Sequence, residues 1–120
     1  MRIWMLLPVL LFACHKEPKD YMKMCTQGDV AACGKQCTIH PGPVCERAAE
    51  QDKANAETYL QMACEYARDD HACELLVARF TLGKDTPRDP VQAKLFASRA
   101  CDAVPDGVAC KESRAMLEAP

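Results

Sequence analysis

The sequence predicts an all-α protein, a short α-solenoid of antiparallel helix hairpins that is disulfide-stapled. Bracketed pairs of cysteines recur along the chain, its second half repeats itself at a fixed offset, and the intervening segments have helical apolar spacing. The chain has 120 residues, enough for one domain, and 9 of them are cysteine. In a short exported chain, this cysteine density is typical of a disulfide scaffold.

Charge and composition narrow the class of partner. The formal net charge is -2, so the chain lacks the basic footprint that a nucleic-acid partner requires. Aromatic residues make up only 6% of the chain, and alanine is abundant. This composition favours closely packed helices over a large aromatic core, and it predicts no nucleic-acid binding.

The N-terminus resembles the leader of an exported bacterial lipoprotein. Arg2 precedes a short apolar run that ends in Leu-Phe-Ala-Cys, with Cys14 in the position where a lipobox places the lipidated cysteine. The run is shorter than the roughly 20 residues that span a bilayer as a helix. We expect a signal peptide at 1–13, a lipidated tether at 14–20 and a repeat domain at 21–120. Ordinary cleavage and an uncleaved anchor are the alternatives.

Cysteine parity supports lipidation of Cys14. Its removal from the nine cysteines leaves eight, an even number that permits complete pairing in an oxidising compartment. His15 follows Cys14, so the aspartate that sometimes retains lipoproteins in the inner membrane is absent. The predicted location is therefore the bacterial cell envelope, as an outer-membrane lipoprotein facing the periplasm or the surface.

An internal repeat underlies the predicted hairpins. Cys64 and Cys101 are 37 residues apart, as are Cys73 and Cys110, and Tyr59 aligns with Phe96 at the same offset. A looser earlier copy is expected from the bracket Cys25/Cys33 to Cys64. Each copy is predicted to contain a helix, a turn marked by proline and a second helix, and the segment after Cys110 is predicted to be a helix that caps the stack.

The cysteine brackets are predicted to be disulfides. The first cysteine of each bracket ends one helix and the second begins the next, across turn-forming residues. A tight turn between antiparallel helices can bring two Cα atoms within the roughly 4.4–6.8 Å that a disulfide requires. The two cysteines left over enclose the turn at residues 41–43 and are expected to form a fourth bridge. The predicted pairs are Cys25–Cys33, Cys64–Cys73, Cys101–Cys110 and Cys37–Cys45.

The residues around the second repeat resemble a known family. The pattern is similar to that of the cysteine-rich Sel-one-like repeat proteins of bacteria, relatives of the tetratricopeptide repeat, and it covers roughly 21–117. The positions that match are Ala72-Cys73, Leu76, Phe80, Gly83, Arg88-Asp89, Ala93, Phe96 and Ala100-Cys101. The resemblance implies a right-handed superhelix with one disulfide per repeat and a concave face that binds peptides or proteins.

The sequence is compatible with three functions. The leading one is a lipid-anchored repeat protein that binds a protein or peptide in the envelope. The second is a weak β-lactamase or penicillin-binding hydrolase, which the resemblance alone implies, because the chain lacks the Ser-x-x-Lys and Lys-Thr-Gly elements of serine β-lactamases. The third is a structural spacer. We expect no catalytic residue and no cofactor.

A zinc site and a Lys-Thr-Gly-like stretch are alternative interpretations that the sequence does not favour. Three cysteines and one histidine could hold tetrahedral zinc, but the bracket pattern and an oxidising compartment favour disulfides. The stretch from Thr81 to Lys84 is the nearest approach to a Lys-Thr-Gly element and lacks the serine. The candidate zinc ligands are Cys33, Cys37, His40 and Cys45.

Overall fold

A computed structural model describes residues 20–118, and this part of the chain is helical with no strand. The all-α fold class is therefore confirmed. The predicted signal peptide, Cys14 and all but the last residue of the predicted tether lie outside the described residues. The seven helices are α1 Tyr21–Thr26, α2 Val30–Ile39, α3 Pro43–Gln51, α4 Ala56–Glu65, α5 Asp70–Leu82, α6 Pro90–Ala103 and α7 Val108–Glu118, with a single 3-10 turn at Lys53–Asn55 between α3 and α4.

Aspartate begins four of these helices. In each case the side chain accepts a hydrogen bond from a backbone N–H of the first turn, which satisfies a donor that the helix itself leaves unpaired. Two helices also carry proline at their first position, where the missing N–H costs nothing. The capping residues are Asp20 of α1, Asp29 of α2, Asp69 of α5 and Asp89 of α6, and the prolines are Pro43 of α3 and Pro90 of α6.

The end of α5 shows why α5 and α6 form a hairpin. Gly83 follows the helix with φ 74°, the left-handed conformation that glycine adopts without penalty, and its N–H donates to the carbonyl of Arg79. The N–H of Asp89 then donates to the carbonyl of Phe80 over 2.9 Å, which holds the start of α6 against the end of α5. The predicted helix, proline-marked turn and second helix are all present here.

Alternate helices run in the same direction. The N-terminus of α7 contacts the N-terminus of α5 through Asp70, and the N-terminal half of α3 contacts the same end of α5 through Glu46 and His71. On the other helices, Arg99 of α6 pairs with Glu65 of α4 at 3.5 Å, both in the C-terminal halves. Each helix also packs on the next, so the helices alternate between two layers, with α3, α5 and α7 in one and α4 and α6 in the other.

The first copy of the repeat differs from the sequence prediction. We expected two helices between Cys33 and Cys64, but the structure has three, because α3 begins at Pro43 and the chain breaks again after Gln51. At that break Asp52 leaves the helical conformation, and its carboxylate accepts a hydrogen bond of 2.8 Å from the Asn55 amide. The hairpin that precedes α5–α6 is therefore α3–α4, and the register assigned to the first copy was wrong by one helix.

The largest buried side chains lie in the second half of the molecule. Phe80 of α5 stacks on Phe96 of α6, with ring centroids 5.4 Å apart, and Leu76 is fully buried beside them. Tyr59 of α4, which aligns with Phe96 in sequence, packs instead on Gly34 of α2, where a Cβ would collide with the Tyr59 hydroxyl. Alanines fill most of the remaining core, so the helices approach each other closely.

Candidate functional site

The eight cysteines of the described region form four disulfides, and these are the four pairs predicted from the sequence. Their Cα–Cα distances run from 4.6 to 4.8 Å, within the range for a disulfide. Three of them join the end of one helix to the N-terminal turn of α3, α5 or α7, and so lie along one edge of the molecule. The fourth, Cys25–Cys33, lies at the other end of α2. In the sequence this bracket looks equivalent to Cys64–Cys73, but the bridge in the equivalent place is Cys37–Cys45.

The alternative zinc ligands do not come together as a metal site. Cys33, Cys37 and Cys45 are each in a disulfide, and a disulfide sulfur is not the thiolate that zinc requires. His40 is exposed at the C-terminal cap of α2. Between residues 20 and 118, no group of three or more histidine, cysteine, aspartate or glutamate side chains is arranged to hold a metal ion.

Thr81 and Lys84 bound the stretch that comes nearest to a Lys-Thr-Gly element, and two serines lie elsewhere, on α6 and α7. The Thr81 hydroxyl donates to the Val77 carbonyl at 2.9 Å within its own helix, and Lys84 is exposed just beyond the end of α5. Ser98 is exposed on α6, while Ser113 is buried in α7. This arrangement brings none of the three hydroxyls into hydrogen-bond contact with Lys84.

Asp70 joins α5 to α7 at the disulfide edge. Its carboxylate accepts hydrogen bonds from the backbone N–H groups of Val108, at 2.7 Å, and Ala109, at 3.1 Å, so it caps a helix from a different part of the chain. Gly107 makes the approach possible, because a Cβ there would collide with the Asp70 side chain. The sequence indicates that Asp70 is a turn or cap residue, but it does not show which helix is capped.

His71, the next residue in the chain, contacts α3 and not α7. Its Nδ1 contacts Oε1 of Glu46, which ties α5 to α3 at the same edge. Burial, with a smaller contribution from Asp69, raises the pKa of the Glu46 carboxyl, although His71 opposes that rise. The hydrogen bond to Glu46 raises the pKa of the exposed His71, so the ion pair is favoured in mildly acidic solution. Nothing in the local sequence around His71 predicts this contact.

A groove of about 260 Å³ separates α5 from α7. The apolar groups in it include Leu82, which is 75% exposed, and Met116, which is half-buried. Glu74 and Glu112 lie nearer the disulfide edge and have no ion-pair partner between residues 20 and 118. The groove is therefore acidic towards that edge and apolar towards the far ends of the helices. Its lining residues are Glu74, Val77, Ala78, Thr81, Leu82, Ala109, Glu112, Ser113 and Met116.

Comparisons with protein-family models, with curated proteins and with solved structures found no match. The resemblance to Sel-one-like repeats therefore stays a prediction from the sequence. The four disulfides indicate an oxidising environment, either extracellular or periplasmic. Of the helices described between residues 20 and 118, none combines the length and hydropathy of a membrane span.

Proposed function

We propose that this chain is an exported, lipid-anchored protein of the bacterial envelope that binds a peptide or protein segment in the groove between α5 and α7. The proposal includes the finer fold prediction, a short solenoid of Sel-one-like hairpins. The alternating helix directions and the three disulfides along one edge support that arrangement, since hairpins stacked in register place equivalent groups side by side.

The groove carries the proposal because it combines two features of a recognition surface. Its apolar part leaves Leu82 and Met116 accessible, which supplies apolar area for a partner side chain. Its acidic part presents the carboxylates of Glu74 and Glu112, which have no ion-pair partner within residues 20–118, and these favour a partner with complementary positive charge. A bound segment would therefore carry a basic residue towards the disulfide edge and apolar residues towards the other end.

Charge reversal in the groove tests this binding mode. Labelled peptides with a fixed leucine pattern at one end and lysine, glutamine or glutamate at the other are titrated against the protein, and binding is followed by fluorescence anisotropy. We expect the lysine peptide to bind most tightly, and the variant Glu74→Lys/Glu112→Lys to prefer the glutamate peptide. The control Glu57→Lys/Asp102→Lys makes the same change in net charge at exposed positions of α4 and α6. Equal binding of the three peptides, or an equal effect of the control, would contradict the proposal.

Lipid anchoring is tested separately by intact-mass analysis of protein expressed with its own leader. The expected mass corresponds to a chain that begins at Cys14, carries acyl chains and has lost eight hydrogens to four disulfides. Stable anchoring requires two or more acyl chains, because a single chain binds a membrane only marginally. The same preparation, incubated with a chromogenic β-lactam, tests the hydrolase alternative. That alternative predicts measurable turnover of the β-lactam, and the absence of turnover would exclude it.

A further inference from the structure

A cavity of about 150 Å³ lies beside the α5–α7 groove, next to the start of α6. Thr81 of α5 and Met116 of α7 line both spaces, so the cavity continues the groove towards the end that is farthest from the disulfide edge. The rest of its lining comes from Arg88, Pro90 and Ala93, which lie just before α6 or in its first turn. The groove and the cavity together therefore bring three helices to one surface.

The cavity presents mainly apolar groups to an occupant. Ala93 is buried, and the half-buried Met116 contributes a flexible thioether chain. The hydroxyl of Thr81 already donates to the Val77 carbonyl at 2.9 Å, so its hydrogen is engaged. Arg88 is exposed, and an arginine in such a place keeps its charged end in water while its aliphatic stem covers apolar surface. An apolar group therefore fits this cavity better than a polar one.

The volume of the cavity sets the size of that group. An engineered apolar cavity of about 150 Å³ in another protein binds benzene, and the cavity beside Met116 has the same volume. A leucine side chain or the single ring of phenylalanine is of about this size, whereas the two fused rings of tryptophan exceed it. The cavity is therefore matched to one aliphatic side chain or one single ring.

We propose that a segment bound in the groove inserts one leucine or phenylalanine side chain into this cavity, at a fixed distance from its basic residue. The inference rests on the proposed function, which places the basic residue at Glu74 and Glu112. From Glu74 to Thr81 the rise along α5 is about 10 Å. An extended segment covers that distance in about three residues. The recognised pattern is therefore a basic residue with an apolar residue three positions away.

Labelled peptides in which only the inserted residue changes test the size and polarity of the cavity. Lysine is kept at one end, and the residue three positions away is alanine, leucine, phenylalanine, tryptophan or asparagine. Binding is followed by fluorescence anisotropy, and the carbon-13 methyl resonance of Met116 reports occupancy of the cavity. We expect leucine and phenylalanine to shift that resonance and to bind about ten-fold or more tighter than alanine, since each buried methylene is worth about four-fold. Asparagine, which has nearly the shape of leucine, should bind no tighter than alanine, and tryptophan should bind more weakly than leucine.

The distance between the two peptide residues is tested with leucine placed next to the lysine, which should weaken binding. Equal affinity at the two spacings, or equal affinity of the leucine and asparagine peptides, would overturn this inference alone if lysine is still preferred to glutamate at the other end. Loss of the lysine preference would contradict the proposed function and this inference with it.

Ala93→Val adds two methyl groups to the wall of the cavity, and Ala100→Val makes the same change at a buried position of α6 that lines neither space. We expect Ala93→Val to weaken binding of the leucine peptide about ten-fold and to leave that of the alanine peptide unchanged, because the smaller side chain still fits. Circular dichroism checks that both variants fold.

Met116→Ala enlarges the cavity and provides a second test if Ala93→Val does not fold. In this variant the tryptophan peptide should bind at least as tightly as the leucine peptide. The wild-type order of affinities in a folded Ala93→Val or Met116→Ala protein, or an equal loss in Ala100→Val, would contradict the assignment.

Discussion

The two ends of the molecule are held together by different means. In α1–α3, two disulfides flank the single helix α2, and the largest buried side chain among these three helices is that of Val44. In α5–α7, one disulfide joins α6 to α7, while Phe80, Phe96 and Leu76 form a packed core. Both ends have the same helical architecture, but the first depends on covalent links where the second depends on packing.

This difference follows from how much apolar surface each end can bury. Burial of a Phe or Leu side chain is worth about 1.5–3 kcal/mol, whereas an alanine contributes much less. Helices of 6 to 10 residues with alanine-rich contacts gain little from packing and lose conformational entropy when they order. Disulfides lower the entropy of the unfolded chain instead, so they can compensate where the core is thin.

The largest expected effect is the loss of a core aromatic ring. Phe96→Ala should lower the free energy of unfolding by about 3–5 kcal/mol, because the stacked ring is removed and a cavity remains. Tyr59→Ala, at the aligned position of α4, should cost less, because Tyr59 is half-buried. Chemical denaturation of the oxidised protein measures both. An equal loss for the two variants would contradict the contrast between the Phe80–Phe96 core and the contact that Tyr59 makes with Gly34 of α2.

Removal of one disulfide should cost about 2.5 kcal/mol by chain entropy at either end, since the loops have nearly equal length. The local consequence should differ. In Cys37→Ala/Cys45→Ala, α2 and α3 should lose protection from hydrogen exchange well before the rest of the chain. In Cys101→Ala/Cys110→Ala, α5 and α6 should keep theirs through the Phe80–Phe96 contact. Hydrogen exchange with mass spectrometry compares the two, and the same local loss in both would refute the distinction.

The cap that Asp70 provides for α7 is expected to be worth about 1–2 kcal/mol, at the upper end for helix caps because two N–H groups donate to one carboxylate. Asp70→Ala should therefore lower the melting temperature and shift the amide signals of Val108 and Ala109. Asp29→Ala, which removes a cap within a single helix, should cost about 1 kcal/mol and leave α7 unchanged. Unperturbed α7 signals in Asp70→Ala would show that the inter-helix cap is absent.

The smallest expected effect is a pH dependence from the His71–Glu46 pair. The pKa of His71 is raised in the folded protein, so its contribution to stability is complete below the unfolded pKa and is lost as pH rises through the folded value. The raised pKa of Glu46 acts in the same direction at lower pH, so stability there also falls as pH rises. His71→Gln should flatten the decline in melting temperature above about pH 6.5, whereas His40→Gln should not. A decline that survives in His71→Gln would exclude the pair as its source.

The sequence predicts those features that depend on local spacing. Cysteines eight or nine residues apart across turn-forming residues pair locally, and Gly83, Asp89 and Pro90 mark the ends of α5 and the start of α6. Each of these follows from a few neighbouring residues. Their physical causes are turn geometry, left-handed backbone and satisfaction of helix-end donors.

Features that depend on which helices become neighbours could not be predicted in this way. The extra helix α3 shifts the register of the first copy, although the bracket Cys25/Cys33 resembles the later ones in sequence. Asp70 caps α7 from 38 residues away, and nothing in its local sequence identifies that helix. Within the described residues, the Nε atom of Arg79 is buried without a hydrogen-bond acceptor, although in the sequence Arg79 looks like an ordinary basic residue near a helix end. These features arise only when helices that are distant in the sequence pack together.

Every disulfide joins two consecutive helices, and peptide mapping of the unreduced protein after digestion with trypsin tests this connectivity. Cleavage after lysine and arginine places three cysteine pairs inside single peptides, residues 24–35, 36–47 and 100–111, and divides the fourth between 54–68 and 69–79. We predict three peptides that are each lighter than their reduced form by two hydrogens, and one species that links 54–68 to 69–79. Free thiols in these peptides, or links between any other two of them, would contradict the claim.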